Sequence, residues 1–260
     1  KGYELTQKLA SNLGFNNSIV PNRTSLETSI NYLLALSFQG MILGKIANEI
    51  YILMSQSINE ISEKQTKGQV GSSTMPHKVN PVIILQVIEE AAILRGKTST
   101  TIEAGMPLHE GDLRYNKIVD NLIKDSTVLS LKLSLKFNSL LNNLLINSKQ
   151  MQRNLLNEKD YIASENLMYK LGKYLGRQEA HDLIHLIIKK SVKNNLGVKE
   201  QFLNNSIISK YFTAADVEKI LNPLKYIGES KKISLKMSKF GVKKATEILA
   251  RSTSKNLLIK

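Results

Sequence analysis

The sequence predicts an all-α protein, a long-helix bundle followed by a smaller all-helical carboxyl-terminal domain. Three observations carry this: long proline-free stretches in which apolar residues recur at helical spacing, no strand-like alternation of useful length, and shorter helical segments separated by glycine and proline after residue 148. With 260 residues, 42% of them hydrophobic, the chain is long enough to bury a sizeable core.

The first long stretch runs without proline from Asn22 to Met75, and Ile42, Ile46, Ile50, Leu53, Met54, Ile58 and Ile61 fall on helical spacing. This predicts one long buried helix, introduced by Pro21 with Thr24 or Ser25 as its cap. It should end before the polar run Glu63 to Gln69, which reads as a loop. A second helix should start at Pro81 and present Val82, Leu85, Ile88, Ala92 and Leu94. Gly105 and Pro107 then punctuate the chain, and a third helical pattern covers about Leu113 to Leu145. Long helices joined by loops imply a bundle, here residues 1–147. Residues 148–260 form the smaller domain, with helices expected near Ser164 to Leu175, Gln178 to Lys193 and Ala214 to Leu221, and with a poorly ordered tail from Arg251.

Composition narrows function. There is no cysteine, hence no disulfide framework and no thiolate nucleophile or ligand, which fits a reducing, cytoplasmic setting. The longest apolar stretch, Tyr32 to Ala47, is interrupted by Ser37, Gln39, Gly40, Gly44 and Lys45, which argues against a membrane span. A net charge of +14 favours anionic partners, but the lysines are scattered rather than gathered in one stripe. Small multi-carboxylate substrates therefore rank above nucleic acid.

The segment GSSTMPHKVNP, Gly71 to Pro81, is unlike a helix interior. Two hydroxyls follow a glycine, and a histidine, a lysine and an asparagine lie between two prolines. It reads as a mobile loop leading into a helix amino terminus, where backbone N–H groups together with Lys78 and the amide of Asn80 would hold a carboxylate or a developing oxyanion. Ser72 and Ser73 each offer a hydroxyl to act as nucleophile or, once deprotonated, as base. Met75 and His77 flank Pro76 in the same segment and are candidates for contact with substrate.

Position for position, this string resembles the signature GSSxMPxKxNP of the fumarase/aspartase superfamily. Further stretches, LGKIANEIYILMSQ, MPLHEGD, YKLGKYLGRQEAHDLI and LNPLKYIG, are similar to its adenylosuccinate lyase and muconate cycloisomerase branch. The resemblance implies a homotetrameric lyase without a cofactor. In it Ser72 removes a proton from the carbon beside a carboxylate, Lys78 and Asn80 bind that carboxylate, and a substituted succinate loses its leaving group, commonly giving fumarate. It also implies that Lys1 lies beyond the family's first domain, which carries the general-acid histidine.

Two stretches depart from the branch. Gly111 stands in His109-Glu110-Gly111-Asp112 where the branch has HERD or HERS, and Arg114 is the nearest compensating arginine. RTSLE, residues 23–27, stands where an arginine-rich stretch is common. His181 and His185, four apart on a helix, have no third ligand spaced to complete a metal site. A non-catalytic scaffold of the same fold, or a cycloisomerase, is the alternative these departures keep open.

Overall fold

A computed structural model describes residues 1–16, 25–64 and 80–255. The chain divides into two compact units, Lys1–Gln150 and Met151–Lys260.

The first unit contains helices α1 (Gly2–Leu13), α2 (Glu27–Leu53), α3 (Val82–Gly96), α4 (Thr98–Ala104) and α5 (Leu113–Asn142), with two three-residue strands, β1 (Ile61–Glu63) and β2 (Leu144–Ile146). Its framework is the mutual packing of α2, α3 and α5. The face that α2 buries is made largely of small residues: Leu33, Ser37, Gly40, Gly44, Ala47 and Ile50. On α3 the buried positions are Ile84, Val87, Ala91 and Leu94, and α5 buries Val119, Leu122, Ser126, Ser130, Leu133 and Leu140.

Small residues let two backbones approach closely. A Cβ at Gly40 would lie 3.1 Å from the Ala91 carbonyl oxygen and 3.3 Å from the Leu94 Cβ. The approach is tied by polar contacts, since Arg95 donates through Nη1 to the Gly40 carbonyl at 3.0 Å and the Ser37 hydroxyl donates to the Leu94 carbonyl at 3.4 Å. Between α2 and α5, the Gln39 amide donates to the Ser134 hydroxyl at 2.6 Å and accepts from the Ser130 hydroxyl. Lys136 on α5 pairs with Glu90 on α3 at 2.6 Å. By length and hydropathy α2 meets the test for a membrane span, as core helices often do, and here it is packed against both α3 and α5.

Several expectations for this unit need correction. The long helix ends at Leu53, so Ile58 and Ile61 are not on it. Ser55 and Ser57 occupy the turn that follows, and Asn59, in a left-handed conformation with φ of 52°, lies between that turn and β1. Ile61 instead opens β1, which pairs antiparallel with β2 in the register Ile61↔Ile146, Ser62↔Leu145 and Glu63↔Leu144. Three residues are too few for alternation to stand out in a sequence. Ser25 does not cap α2: Leu26 is the N-cap residue, and the Ser25 hydroxyl donates to the Glu27 carboxylate. Pro21 and Thr24 lie outside the described residues. The apolar residues Ile42 and Ile46 of α2, and Val82, Leu85 and Ala92 of α3, face outward, on the sides of the helices turned away from the buried rows.

In the second unit, entered within α6 (Ser148–Asn157), come α7 (Lys159–Ile162), α8 (Ser164–Leu175), α9 (Arg177–Lys193), α10 (Val198–Leu203), α11 (Ser206–Tyr211), α12 (Ala214–Ile220) and α13 (Ser230–Lys255). Leu167, Leu171, Ile184, Phe202, Ile208 and Val217 form its core. Short helices need help at their ends, and it is present. Asn205 accepts from the backbone N–H groups of Ile207 and Ile208, and Thr213 with Asp216 forms a reciprocal capping box. Gly176, at φ of 89°, makes the turn from α8 into α9. The tail expected from Arg251 is helical as far as Lys255, and residues 256–260 lie outside those described.

If the α2–α3 approach depends on the absence of a side chain, Gly40→Leu should destabilise the protein by about 1–3 kcal/mol through overpacking. Glu49→Gln, at an exposed position of α2, should change stability much less. Urea unfolding of both variants checks this.

Candidate active site

The only part of the signature segment within the described residues is its end. Ser72, Ser73, Met75, His77 and Lys78 lie outside them. Asn80 is exposed and directly precedes Pro81, the N-cap residue of α3.

The amino terminus of α3 is capped from a distance. Pro81 has no side-chain acceptor, and the second and third residues of the helix, Ile83 and Ile84, direct their backbone N–H groups to the carboxylate of Glu63. The distances are 3.3 Å to Oε2 and 2.8 Å to Oε1. Glu63 thus does what an N-cap side chain does, from 20 residues upstream. Its negative charge also suits the positive end of the helix dipole. These two donors are therefore already engaged, which corrects the expectation that the N–H groups of this helix end are free to hold an incoming carboxylate. Lys78, also expected at this end, lies outside the described residues. Glu63 itself was hidden in the sequence, because it opens a polar run that reads as loop.

At the start of α5 a second local arrangement is built on Asp112. Its carboxylate caps the helix by accepting from the Arg114 N–H at 3.1 Å, and it receives the Arg114 guanidinium through Nε at 3.0 Å and Nη2 at 2.9 Å. Arg114, the arginine expected to meet substrate, thus turns its planar face edge toward its own helix cap and lies 5.8 Å from the Tyr115 ring centroid. The guanidinium hydrogen bonds hold the Asp112 carboxyl below its ordinary pKa. Just before it, Gly111 has φ of 69° with open space around the position a Cβ would take. The arginine common in the branch would be strained there by backbone conformation rather than by crowding.

His109 is exposed in the turn before α5. On α9, the His181 and His185 rings lie parallel with centroids 6.1 Å apart, and His181 Nδ1 is 3.0 Å from the Asp182 carboxylate. Among the described residues no group of three or more His, Asp or Glu side chains is placed to hold a metal ion.

Residues 2–93 match the family model described as Lyase, and residues 160–236 match the one described as Adenylosuccinate lyase C-terminus. The chain is 30% identical over 230 residues to N-acetyl-S-(2-succino)cysteine lyase of Dickeya dadantii, covering 88% of this chain and 50% of that protein. It is also 30% identical over 242 residues to adenylosuccinate lyase of Pyrococcus horikoshii, covering 92% of this chain and 54% of that protein. Among solved structures, 3-carboxy-cis,cis-muconate lactonizing enzyme from Pseudomonas putida superposes with a TM-score of 0.73 at 24% identity, over 86% of this chain and 50% of that one. Fumarate lyase from Mesorhizobium sp. BNC1 gives 0.76 at 20% identity, over 88% and 50%. At these identities the structures bear on the fold alone. The chain spans about half the length of the curated relatives it matches.

Because the Asp112 pKa is lowered in the folded protein, its ion pair stabilises the fold above the ordinary carboxylate range, and that contribution fades as pH falls through the lowered value. Asp112→Asn should therefore be less stable than wild type near neutrality, with the difference closing in acid. Thermal unfolding of both proteins across that range measures it.

Proposed function

The chain belongs to the fumarase/aspartase superfamily of lyases, and on that premise we propose that it takes part in anti-elimination from a substituted succinate, releasing fumarate. The observation that carries this reading is the segment Gly71 to Pro81, inside the stretch that matches the lyase family model. Ser72 is the base and Ser73 its neighbour in the same hydroxyl pair. Lys78 and Asn80 hold the carboxylate next to the carbon that loses its proton, and Met75 and His77 line the same segment.

The chemistry asks for this combination. Ser72 takes the proton from the carbon beside the carboxylate. The electron pair left behind spreads into that carboxylate, where a lysine cation and an amide donor stabilise the doubled charge. The pair then forms the carbon–carbon double bond as the bond to the leaving group breaks, and the leaving group departs with the electrons of that bond. None of the four histidines of the chain is assigned as the acid that protonates it.

Both curated relatives are named for succino compounds, one with the succino group on sulfur and one an adenylosuccinate. We take an adenylosuccinate-like substrate, with nitrogen as the leaving atom, as the first choice. Arg114 holds Asp112 through Nε and Nη2, so it would meet an anionic group of such a substrate through Nη1 or by giving up Asp112. A cycloisomerase reaction, or a scaffold without activity, is the reading to adopt if elimination fails.

We place the chemistry in region 1–147, with region 148–260 in support, in a cytoplasmic homotetramer. The exposed apolar side of α2 supports the assembly: Phe38 is 60% and Ile42 53% exposed in the single chain.

Fumarate release from adenylosuccinate, argininosuccinate and N-acetyl-S-(2-succino)cysteine, followed by ultraviolet absorbance, tests the reaction. Ser72→Ala should lower kcat by about 10²–10⁴-fold, and Lys78→Met by about 10²–10³-fold. Wild-type rates in Ser72→Ala would remove the serine base. Phe38→Glu combined with Ile42→Glu should shift the tetramer to smaller species in sedimentation velocity, and an unchanged tetramer would move the interface elsewhere.

A further inference from the structure

We propose that Glu63 is a positioning residue for this active site, acting as the remote cap of α3. The proposal rests on the elimination reading above and adds to it a residue that the signature does not contain.

Three observations meet at this point. Pro81, at the N-cap position of α3, offers no side-chain acceptor, and the carboxylate of Glu63 receives the N–H groups of Ile83 and Ile84 in its stead. Glu63 is the last residue of β1, and β1 is itself fixed. It pairs with β2, and the bonds continue at both ends, from the Lys64 N–H to the Asn143 carbonyl at 2.8 Å and from the Asn147 N–H to the Glu60 carbonyl at 2.9 Å. Finally, the chain between Glu63 and α3 is the one that carries the signature. The carboxylate therefore holds together the point where that chain leaves β1 and the point where it enters α3, with Asn80 directly before the second point.

A further consequence concerns anions. The first turn of a helix is a ready binding site for carboxylates, and the substrate proposed here carries more than one. With Glu63 in place, the Ile83 and Ile84 donors are occupied and do not compete for the substrate carboxylate with Lys78 and Asn80, the groups proposed above to bind it. Without it, the vacated donors become a competing site that accepts the substrate in a displaced position. Loss of Glu63 should thus appear in kcat rather than as weaker binding, because misplacement by about 1 Å is enough to slow a reaction about 10²-fold.

The experiment compares wild type, Glu63→Ala, Glu63→Gln and Ser72→Ala by steady-state kinetics and by amide hydrogen exchange at Ile83 and Ile84, with circular dichroism to establish that each variant is folded. The expected result for Glu63→Ala is a kcat about 10²-fold lower, a KM that does not rise, and faster exchange at both amides while Val87 stays protected. Sodium formate should restore part of the rate relative to sodium chloride at matched ionic strength, by refilling the cap. Glu63→Gln, which keeps one acceptor oxygen, should fall between Glu63→Ala and wild type. Unchanged kcat in Glu63→Ala, or unchanged exchange at Ile83 and Ile84, overturns the proposal. So does a lost rate that formate leaves untouched with a raised KM. Failure of the underlying reading shows differently, as absent turnover by wild type or full activity in Ser72→Ala; the capping role of Glu63 is then decided by the exchange data alone.

Discussion

The close approach of α3 to α2 is the constraint from which the first unit follows. Gly40 and Gly44 remove the side chains that would keep the helices apart, and Arg95 closes the contact by donating to the Gly40 carbonyl. Once α3 lies there, its buried row of Ile84, Val87, Ala91 and Leu94 is set, α5 completes the three-helix packing, and the position of the α3 amino terminus is no longer adjustable. Asn80 and Pro81 inherit that position. Glu63 then connects it to the short β1–β2 pairing, so that both attachment points of the signature segment rest on packed structure.

The all-helical class was legible because helical spacing of apolar residues survives over long proline-free stretches. What spacing could not tell was which side of a helix is covered within one chain. On α2 the large apolar residues drew attention to Ile42 and Ile46, while Ser37, Gly40 and Gly44 looked like interruptions. In the fold it is the small residues that make the contact, and the large ones are left exposed. On α3 the periodic apolar residues Val82, Leu85 and Ala92 are likewise exposed, whereas Leu94 of the same row is buried together with Ile84, Val87 and Ala91. Two helices, α1 and α13, escaped notice. Of these, α1 buries no side chain and α13 is exposed from Ser230 to Arg251 except at the half-buried Glu247, so neither carries the sharp apolar pattern that burial imposes.

For the site, the sequence draws attention where chemistry demands particular residue types in a fixed order, as in the run from Gly71 to Pro81, which lies outside the described residues as far as residue 79. It was silent where function is carried by geometry between distant positions. Nothing in a lone glutamate at the edge of a polar run announces that it caps a helix beginning 19 residues later. Nor does an arginine two residues after an aspartate reveal that the pair is bidentate and closes a helix end, as Arg114 and Asp112 do. Gly111 is the intermediate case. Its presence in place of the usual arginine was visible, whereas the left-handed backbone that accounts for it was not.

The most direct test of the proposed elimination is its reverse, run in deuterium oxide with fumarate and the amine partner and read by proton NMR of the substituted succinate formed. Addition through a single base delivers one deuteron to one face of the double bond, giving a product labelled at one diastereotopic position, anti to the new carbon–nitrogen bond. Label shared between both positions, or an absence of adduct from the folded protein, would contradict it.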